Sequence, residues 1–147
     1  MGEKILVVDD EQSIREWLKT ALEMHGYEII LAANGEEAIR LAASDSPHLI
    51  ILDAVMPELD GIDTCIALRA NEKTRAIPII LATGFAEVLA AAVNAGVDDF
   101  LTKPFDLDRL MIRVRSMLRV RHLEDELERA VAYMQALKDK KSRSPEQ

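Results

Sequence analysis

The run Leu49-Ile50-Ile51-Leu52-Asp53 constrains this chain more than any other stretch. Four branched apolar residues in succession, with no polar alternation, predict a strand buried on both faces, as in the middle of a parallel sheet. A carboxylate ends the run, and Pro57 and Asp60-Gly61 mark the loop that leaves it. Ligands of open α/β sheets bind beyond the carboxyl ends of the strands, which makes Asp53 the first candidate functional residue. Taken alone, Asp53 reads equally well as the start of a turn.

The same pattern recurs along the chain. Residues 4–8 form a second apolar run and end in Asp9-Asp10-Glu11. Ile14, Leu18 and Leu22 then recur at helical spacing, and Gly26 suits the position just past the helix end. Residues 27–32 predict a third strand. Asn34 as N-cap and Glu37 three residues on open a second helix, which Ser46-Pro47 ends. After Asp53 a helix spans about 61–71, and residues 79–82 predict a strand left through Thr83-Gly84. An Ala-rich helix over 86–94 stops at Gly96, and residues 100–102 form a last strand ending in Lys103-Pro104-Phe105. Five strands alternating with five helical patterns predict a parallel sheet with helices on both faces.

Charge narrows the function. Residues 1–106 carry 8 Lys/Arg against 19 Asp/Glu, a balance of −11, whereas residues 107–147 carry 10 against 7, a balance of +3. An acidic body argues against nucleic acid as a partner and is compatible with a cation site. The C-terminal part is too mixed in sign to read as a DNA-binding arm. The one cysteine, Cys65, allows no internal disulfide and falls mid-helix beside Ile62 and Ile66, as a small buried residue would. The first strand begins too early for a signal peptide, and no apolar run approaches membrane-spanning length. A cytoplasmic protein without membrane contact is expected. His25, His48 and His122 have no metal-like spacing.

In such a sheet Asp9, Asp10, Asp53, Thr83 and Lys103 all lie on one edge, because each follows a strand. Three carboxylates brought together repel, and they either hold a proton or take up a cation. Mg²⁺ fits oxygen donors of this kind, and it keeps waters and leaves room for a phosphate. Lys103 and Thr83 are then placed to stabilise a phosphoryl group in transfer, with Asp53 as nucleophile. Singly, each residue has a plainer reading: a helix-start pair, a turn threonine, a surface lysine.

With these motifs together, the chain resembles the receiver domain of two-component response regulators. The resemblance rests on Val7-Val8-Asp9-Asp10-Glu11, on Asp53-x-x-Met56-Pro57-x-x-Asp60-Gly61, on Ala82-Thr83-Gly84 and on Leu101-Thr102-Lys103-Pro104-Phe105. It covers residues 3 to about 120. It implies a flavodoxin-like (βα)5 doubly wound sheet of strand order 2-1-3-4-5. It also implies phosphoryl transfer to Asp53 from a histidine kinase or histidine phosphotransfer protein, and a signalling phosphoacceptor that catalyses only its own phosphorylation and dephosphorylation. Asp10 and Asp53 would bind Mg²⁺ directly, Asp9 through water, and Val55 through its backbone carbonyl. Thr83 and Phe100 would be coupled switch residues, and Lys103-Pro104 a cis peptide bond. Two departures stand out. The segment from Thr83 to Lys103 is about two residues short, and Val55 and Phe85 are apolar where the attacking water is usually met. Trp17, on the first helix, reads either as a cap on the core edge or as a half-exposed contact for the phosphodonor.

The fifth helix does not stop where the domain should. No glycine or proline appears from Asp106 to Ser144. Leu107, Leu110, Val114 and Met117 suit packing on the sheet. Val120, Leu123, Leu127, Ala130, Met134 and Leu137 then repeat at alternating three- and four-residue steps on another face. A homodimeric coiled coil through this helix, in which a parallel pairing sets Arg119 opposite Glu124 of the second chain, competes with an intramolecular or frayed helix. The expected division is a receiver over 3–120, a helical extension over 121–141 and a disordered tail over 142–147, with no room for a DNA-binding or catalytic output domain. Two other classes fit these residues less well. Phosphatases with an aspartyl nucleophile carry a second Asp two residues on, where Val55 stands. A receiver kept only as an interaction module sits poorly with the intact acidic pair, Thr83 and Lys103. The downstream partner is not legible.

Overall fold

Side chains alternate sides along every strand, so each strand feeds two cores at once. In the computed structural model, which describes residues 2–84 and 89–143, the elements follow in strict alternation. They are β1 (Lys4–Val8), α1 (Gln12–Glu23), β2 (Glu28–Ala32), α2 (Gly35–Asp45), β3 (Leu49–Asp53), α3 (Gly61–Ala70), β4 (Ile79–Thr83), α4 (Leu89–Ala95), β5 (Asp99–Thr102) and α5 (Leu107–Arg143). All pairings are parallel and the order is β2-β1-β3-β4-β5, the flavodoxin-like arrangement expected from sequence. The start of the expected fourth helix and the position of Phe85 lie outside the described residues, as do residues 144–147 of the expected tail.

Leu6, Val8, Ile50, Leu52, Ile79 and Leu81 face one core, with Ala38 and Ala42 of α2 and Cys65 and Leu68 of α3. Ile5, Val7, Leu49, Ile51, Ile80 and Leu101 face the other, with Leu18 and Leu22 of α1 and Leu110 and Val114 of α5. β3 and β4 are buried along their whole length, which is why their sequences carry no polar alternation. Burying each such aliphatic side chain contributes about 1.5–3 kcal/mol.

The helix ends behave as their residues dictate. Asn34 Oδ1 accepts from Glu37 N–H at 2.8 Å, and Asp60 Oδ1 accepts from Asp63 N–H at 2.8 Å. Past α1, Gly26 takes φ +90°, with Gly26 N–H donating to the Glu23 carbonyl and Tyr27 N–H to that of Leu22. That pair of bonds is the glycine-terminated Schellman closure. Gly61 is required for another reason. A Cβ there would overlap the Asp53 carbonyl oxygen and lie 2.7 Å from Ala54 Cα. Its N–H donates to the Ala54 carbonyl at 3.0 Å, so α3 starts directly against the end of β3. That contact holds the loop carrying Val55 over Asp53.

Candidate functional site

The parallel topology delivers the carboxyl ends of β1, β3, β4 and β5 to one edge. Asp9 and Asp53 are 4% and 6% exposed there, while Asp10 is exposed. One carboxylate oxygen from each of Asp9, Asp10 and Asp53 lies within 4.8 Å of the other two. Lys103 Nζ donates to Asp53 Oδ1 at 2.9 Å and stands 4.0 Å from Asp9 Oδ2. Val55 N–H also points at Asp53 Oδ1, at 3.3 Å. Both donors therefore meet the same oxygen of Asp53. On Asp9, Oδ1 accepts from Glu11 N–H at 2.9 Å, and the backbone carbonyl accepts from the Arg15 guanidinium at 2.6 Å.

Asp10, Glu11, Asp53, Val55, Gly84 and Lys103 line an open cleft of about 280 Å³. Thr83, at the end of β4, is buried, and its carbonyl accepts from Lys103 N–H at 2.8 Å. That bond ties the end of β4 to the residue that reaches Asp53. The Lys103–Pro104 peptide is cis. Phe100 is half-buried on β5 and packs on the core that α2, α3 and α4 share, away from the cleft lining. Val55 is 57% exposed on the cleft rim. Phe85 lies outside the described residues.

Burial pushes the Asp9 carboxyl above the usual carboxylate range. The bond from Glu11 N–H and the Lys103 ammonium pull it down, while Asp53 and Asp10 push it up. The folded chain thus holds that proton more tightly than the unfolded chain. Without a cation, stability falls as pH rises from the ordinary carboxylate range through the raised value. Asp9→Asn should therefore stabilise the metal-free protein near neutral pH by about 1 kcal/mol, roughly 4 °C in Tm for a domain of this size. Chemical denaturation in EDTA checks it, and the advantage should shrink as the pH is lowered. An Asn variant no more stable than the parent at pH 7 would contradict the cost assigned to burying the Asp9 charge.

Beside the cleft, a second groove of about 410 Å³ is lined by Glu11, Ile14, Trp17, Lys103, Pro104 and Phe105. Trp17 is 43% exposed, and its ring lies 6.2 Å from that of Phe105, tilted by 40°. Trp17 thus touches Phe105, which packs on the α1/α5 core, and also walls an open groove.

Several residues near the site gave no signal in the sequence. Arg15 reaches back from α1 to the Asp9 carbonyl, and Glu11 joins the cleft through a turn whose geometry a run of acids does not disclose. Farther off, the Arg69 guanidinium binds the carbonyls of Arg75, Ile77 and Gly96 and the Asp98 carboxylate. It fixes the far end of α4 to α3. His25, His48 and His122 take no part in the cleft.

A doubly wound parallel sheet with an acidic cleft and one lysine at its carboxyl edge defines an α/β domain of the flavodoxin-like class. The chain belongs to the response regulator receiver domain family, which it matches over residues 5–115. It is 41% identical over 126 residues to response regulator MprA of Mycobacterium ulcerans (strain Agy99), covering 86% of this chain and 54% of that one. It thus spans about half the length of the curated relatives it matches. Among solved structures, a putative response regulator from Chloroflexus aurantiacus J-10-fl is 34% identical with a TM-score of 0.77, over 81% of this chain and 99% of that one. The receiver domain of sensor histidine kinase PA1611 from Pseudomonas aeruginosa PAO1 is 30% identical with a TM-score of 0.75, over 80% and 98%. That domain carries a magnesium ion in its active-site cleft. No helix among the described residues is long and apolar enough to cross a membrane.

Proposed function

We propose that this chain is a cytoplasmic phosphoacceptor of two-component signalling, receiving a phosphoryl group on Asp53 from a histidine kinase or a histidine phosphotransfer protein. The observation that carries the reading is the pairing of buried Asp53 with Lys103 at 2.9 Å, inside a cluster of three carboxylates. In the transfer, the phosphorus–nitrogen bond of the donor phosphohistidine breaks as an Asp53 carboxylate oxygen bonds to phosphorus, and the histidine leaves with its electron pair. Lys103 supplies a fixed positive charge for the phosphoryl oxygens, and the Thr83 hydroxyl supplies a donor. The groove walled by Trp17 and Phe105, adjoining the cleft through Glu11 and Lys103, is the docking place for the donor.

Mg²⁺ is the cofactor of this reading. The donor set fits it, being all oxygen, clustered and partly buried, and a receiver of similar structure holds magnesium in its cleft. Asp10 and Asp53 would hold the ion directly, Asp9 through water and Val55 through its carbonyl. Bound there, the ion would offset the carboxylate charge and the charge that develops on the phosphoryl oxygens. Thr83 and Phe100 are the switch pair, reporting the modified Asp53 to the face of α4 and β5. Residues 3–120 constitute the receiver and 121–141 a helical extension, through which the chain forms a homodimer. An unidentified downstream protein reads the output, without nucleic acid or membrane contact. Catalysis extends no further than the chain's own phosphorylation and dephosphorylation.

Incubation with acetyl phosphate and Mg²⁺ should add one phosphoryl group by intact mass. The adduct should fail to form in EDTA and in Asp53→Asn. An undiminished adduct on Asp53→Asn would overturn the assignment.

A further inference from the structure

α5 has two apolar faces. Leu110, Met111 and Val114 are buried against the sheet, and Met117 and Leu118 pack on the same core. At about 100° per residue, positions 120, 123, 127, 130, 134 and 137 fall on the opposite side of the helix. Along that side Val120, Leu123, Leu127, Met134 and Leu137 are between 45% and 64% exposed. From residue 126 onward every residue whose side chain is described is exposed, so the helix has left the receiver body. A lone amphipathic helix of this length is marginal in water without a partner for its stripe.

We propose that a second copy of this chain covers the stripe in parallel and in register, forming a two-stranded stem. The inference rests on the homodimer reading and adds its direction and register. The three- and four-residue spacing of the stripe is complementary to itself, as knobs-into-holes packing requires. Charge selects the direction. In register and parallel, Arg119 faces Glu124 of the second copy on both sides of the seam. In an antiparallel pair, Lys138, Lys140 and Lys141 would lie along Arg115 and Arg119 of the other chain, cation against cation. On the face that α4, β5 and α5 share, Asp98, Asp99 and Arg113 are engaged within one chain. Asp98 is bound by Arg69 at 2.7 Å and by Ile79 N–H at 2.8 Å. Asp99 lies 3.9 Å from Arg113, which also donates to the Phe100 carbonyl at 2.6 Å.

The topology makes the stem compatible with the site. α5 starts beside the carboxyl end of β5 and runs back along the sheet, so the stem leaves from the edge opposite Asp53. In the parallel dimer both clefts, and both grooves at Trp17, face away from the stem.

Three measurements on the full chain test the proposal. Sedimentation should give a dimer, and Leu123→Lys with Leu127→Lys should raise its dissociation constant about tenfold or more, ~1.4 kcal/mol, with the receiver's circular dichroism and its phosphoryl adduct retained. Leu123→Cys should form a disulfide-linked dimer under mild oxidation, since paired positions in a parallel stem lie within disulfide reach. An antiparallel pair would hold the two residues 123 roughly 16 Å apart, beyond that reach. Cys65 is fully buried, so the parent serves as the control that does not cross-link. Arg119→Glu should weaken the dimer, and adding Glu124→Arg should restore it. A monomeric or tetrameric parent overturns both the homodimer and the stem. A dimer in which Leu123→Cys fails to cross-link overturns the parallel stem and leaves the homodimer standing. Loss of the adduct in the parent overturns the phosphoacceptor reading and leaves the stem untouched.

Discussion

Lys103→Ala should slow phosphorylation of Asp53 by acetyl phosphate about 10²–10³-fold, the usual cost of removing a preorganised charge from a site of charge transfer. The Lys103 ammonium is 2.9 Å from Asp53 Oδ1 and 4.0 Å from Asp9 Oδ2, the one cation among the described residues that line the cleft. In the resting protein it offsets carboxylate repulsion. In the transfer it would meet the phosphoryl oxygens as negative charge is redistributed onto them. The two roles separate experimentally. A merely structural lysine would lower stability and leave the rate of adduct formation near the parent's. A lysine that acts on the phosphoryl group lowers the rate while Mg²⁺ affinity, by titration calorimetry, holds or rises, because the ammonium no longer competes for Asp53. Adduct formation at the parental rate would contradict the role assigned to it.

The second large effect concerns the lifetime of the product. Val55 is 57% exposed at the rim of the cleft, and its N–H contacts Asp53 Oδ1. Its isopropyl group offers no hydrogen bond to a water attacking phosphorus in line with the Asp53 oxygen. The aspartyl phosphate should therefore be long-lived, and Val55→Asn should hasten its hydrolysis about tenfold, a barrier lower by ~1.4 kcal/mol. Decay of the intact-mass adduct after removal of acetyl phosphate measures this directly. A parental half-life of seconds, unchanged in Val55→Asn, would rule the explanation out.

Much of the architecture was legible because the hydrophobic pattern carries it. The unbroken apolar runs at β1, β3 and β4 dictate strands buried on both faces, and their alternation with helices dictates a parallel sheet. Once the sheet is parallel, residues 44 positions apart, Asp9 and Asp53, must share an edge. Asn34, Asp60 and Gly26 mark helix ends for local reasons that survive folding. Distances were not legible. That Lys103 pairs with Asp53 more closely than with Asp9 depends on where the β5 loop sets its backbone, and the Lys103 N–H bond to the Thr83 carbonyl fixes that. The Arg69 cluster gathers carbonyls from the segment before β4 and from the end of α4, so it leaves no periodic trace. The need for glycine at position 61 comes from the backbone of β3, a contact no local pattern reveals. Trp17 stayed ambiguous because a ring can touch Phe105 and still be 43% exposed beside a groove.

Asp53, and no other carboxylate of the cluster, should carry the phosphoryl group. Borohydride reduction of the phosphorylated chain converts an aspartyl phosphate to homoserine, and peptide mass mapping then locates it. Homoserine is expected at position 53 alone, dependent on Mg²⁺ during the phosphorylation step. Homoserine at position 9 or 10, or an adduct that resists reduction, would contradict that assignment.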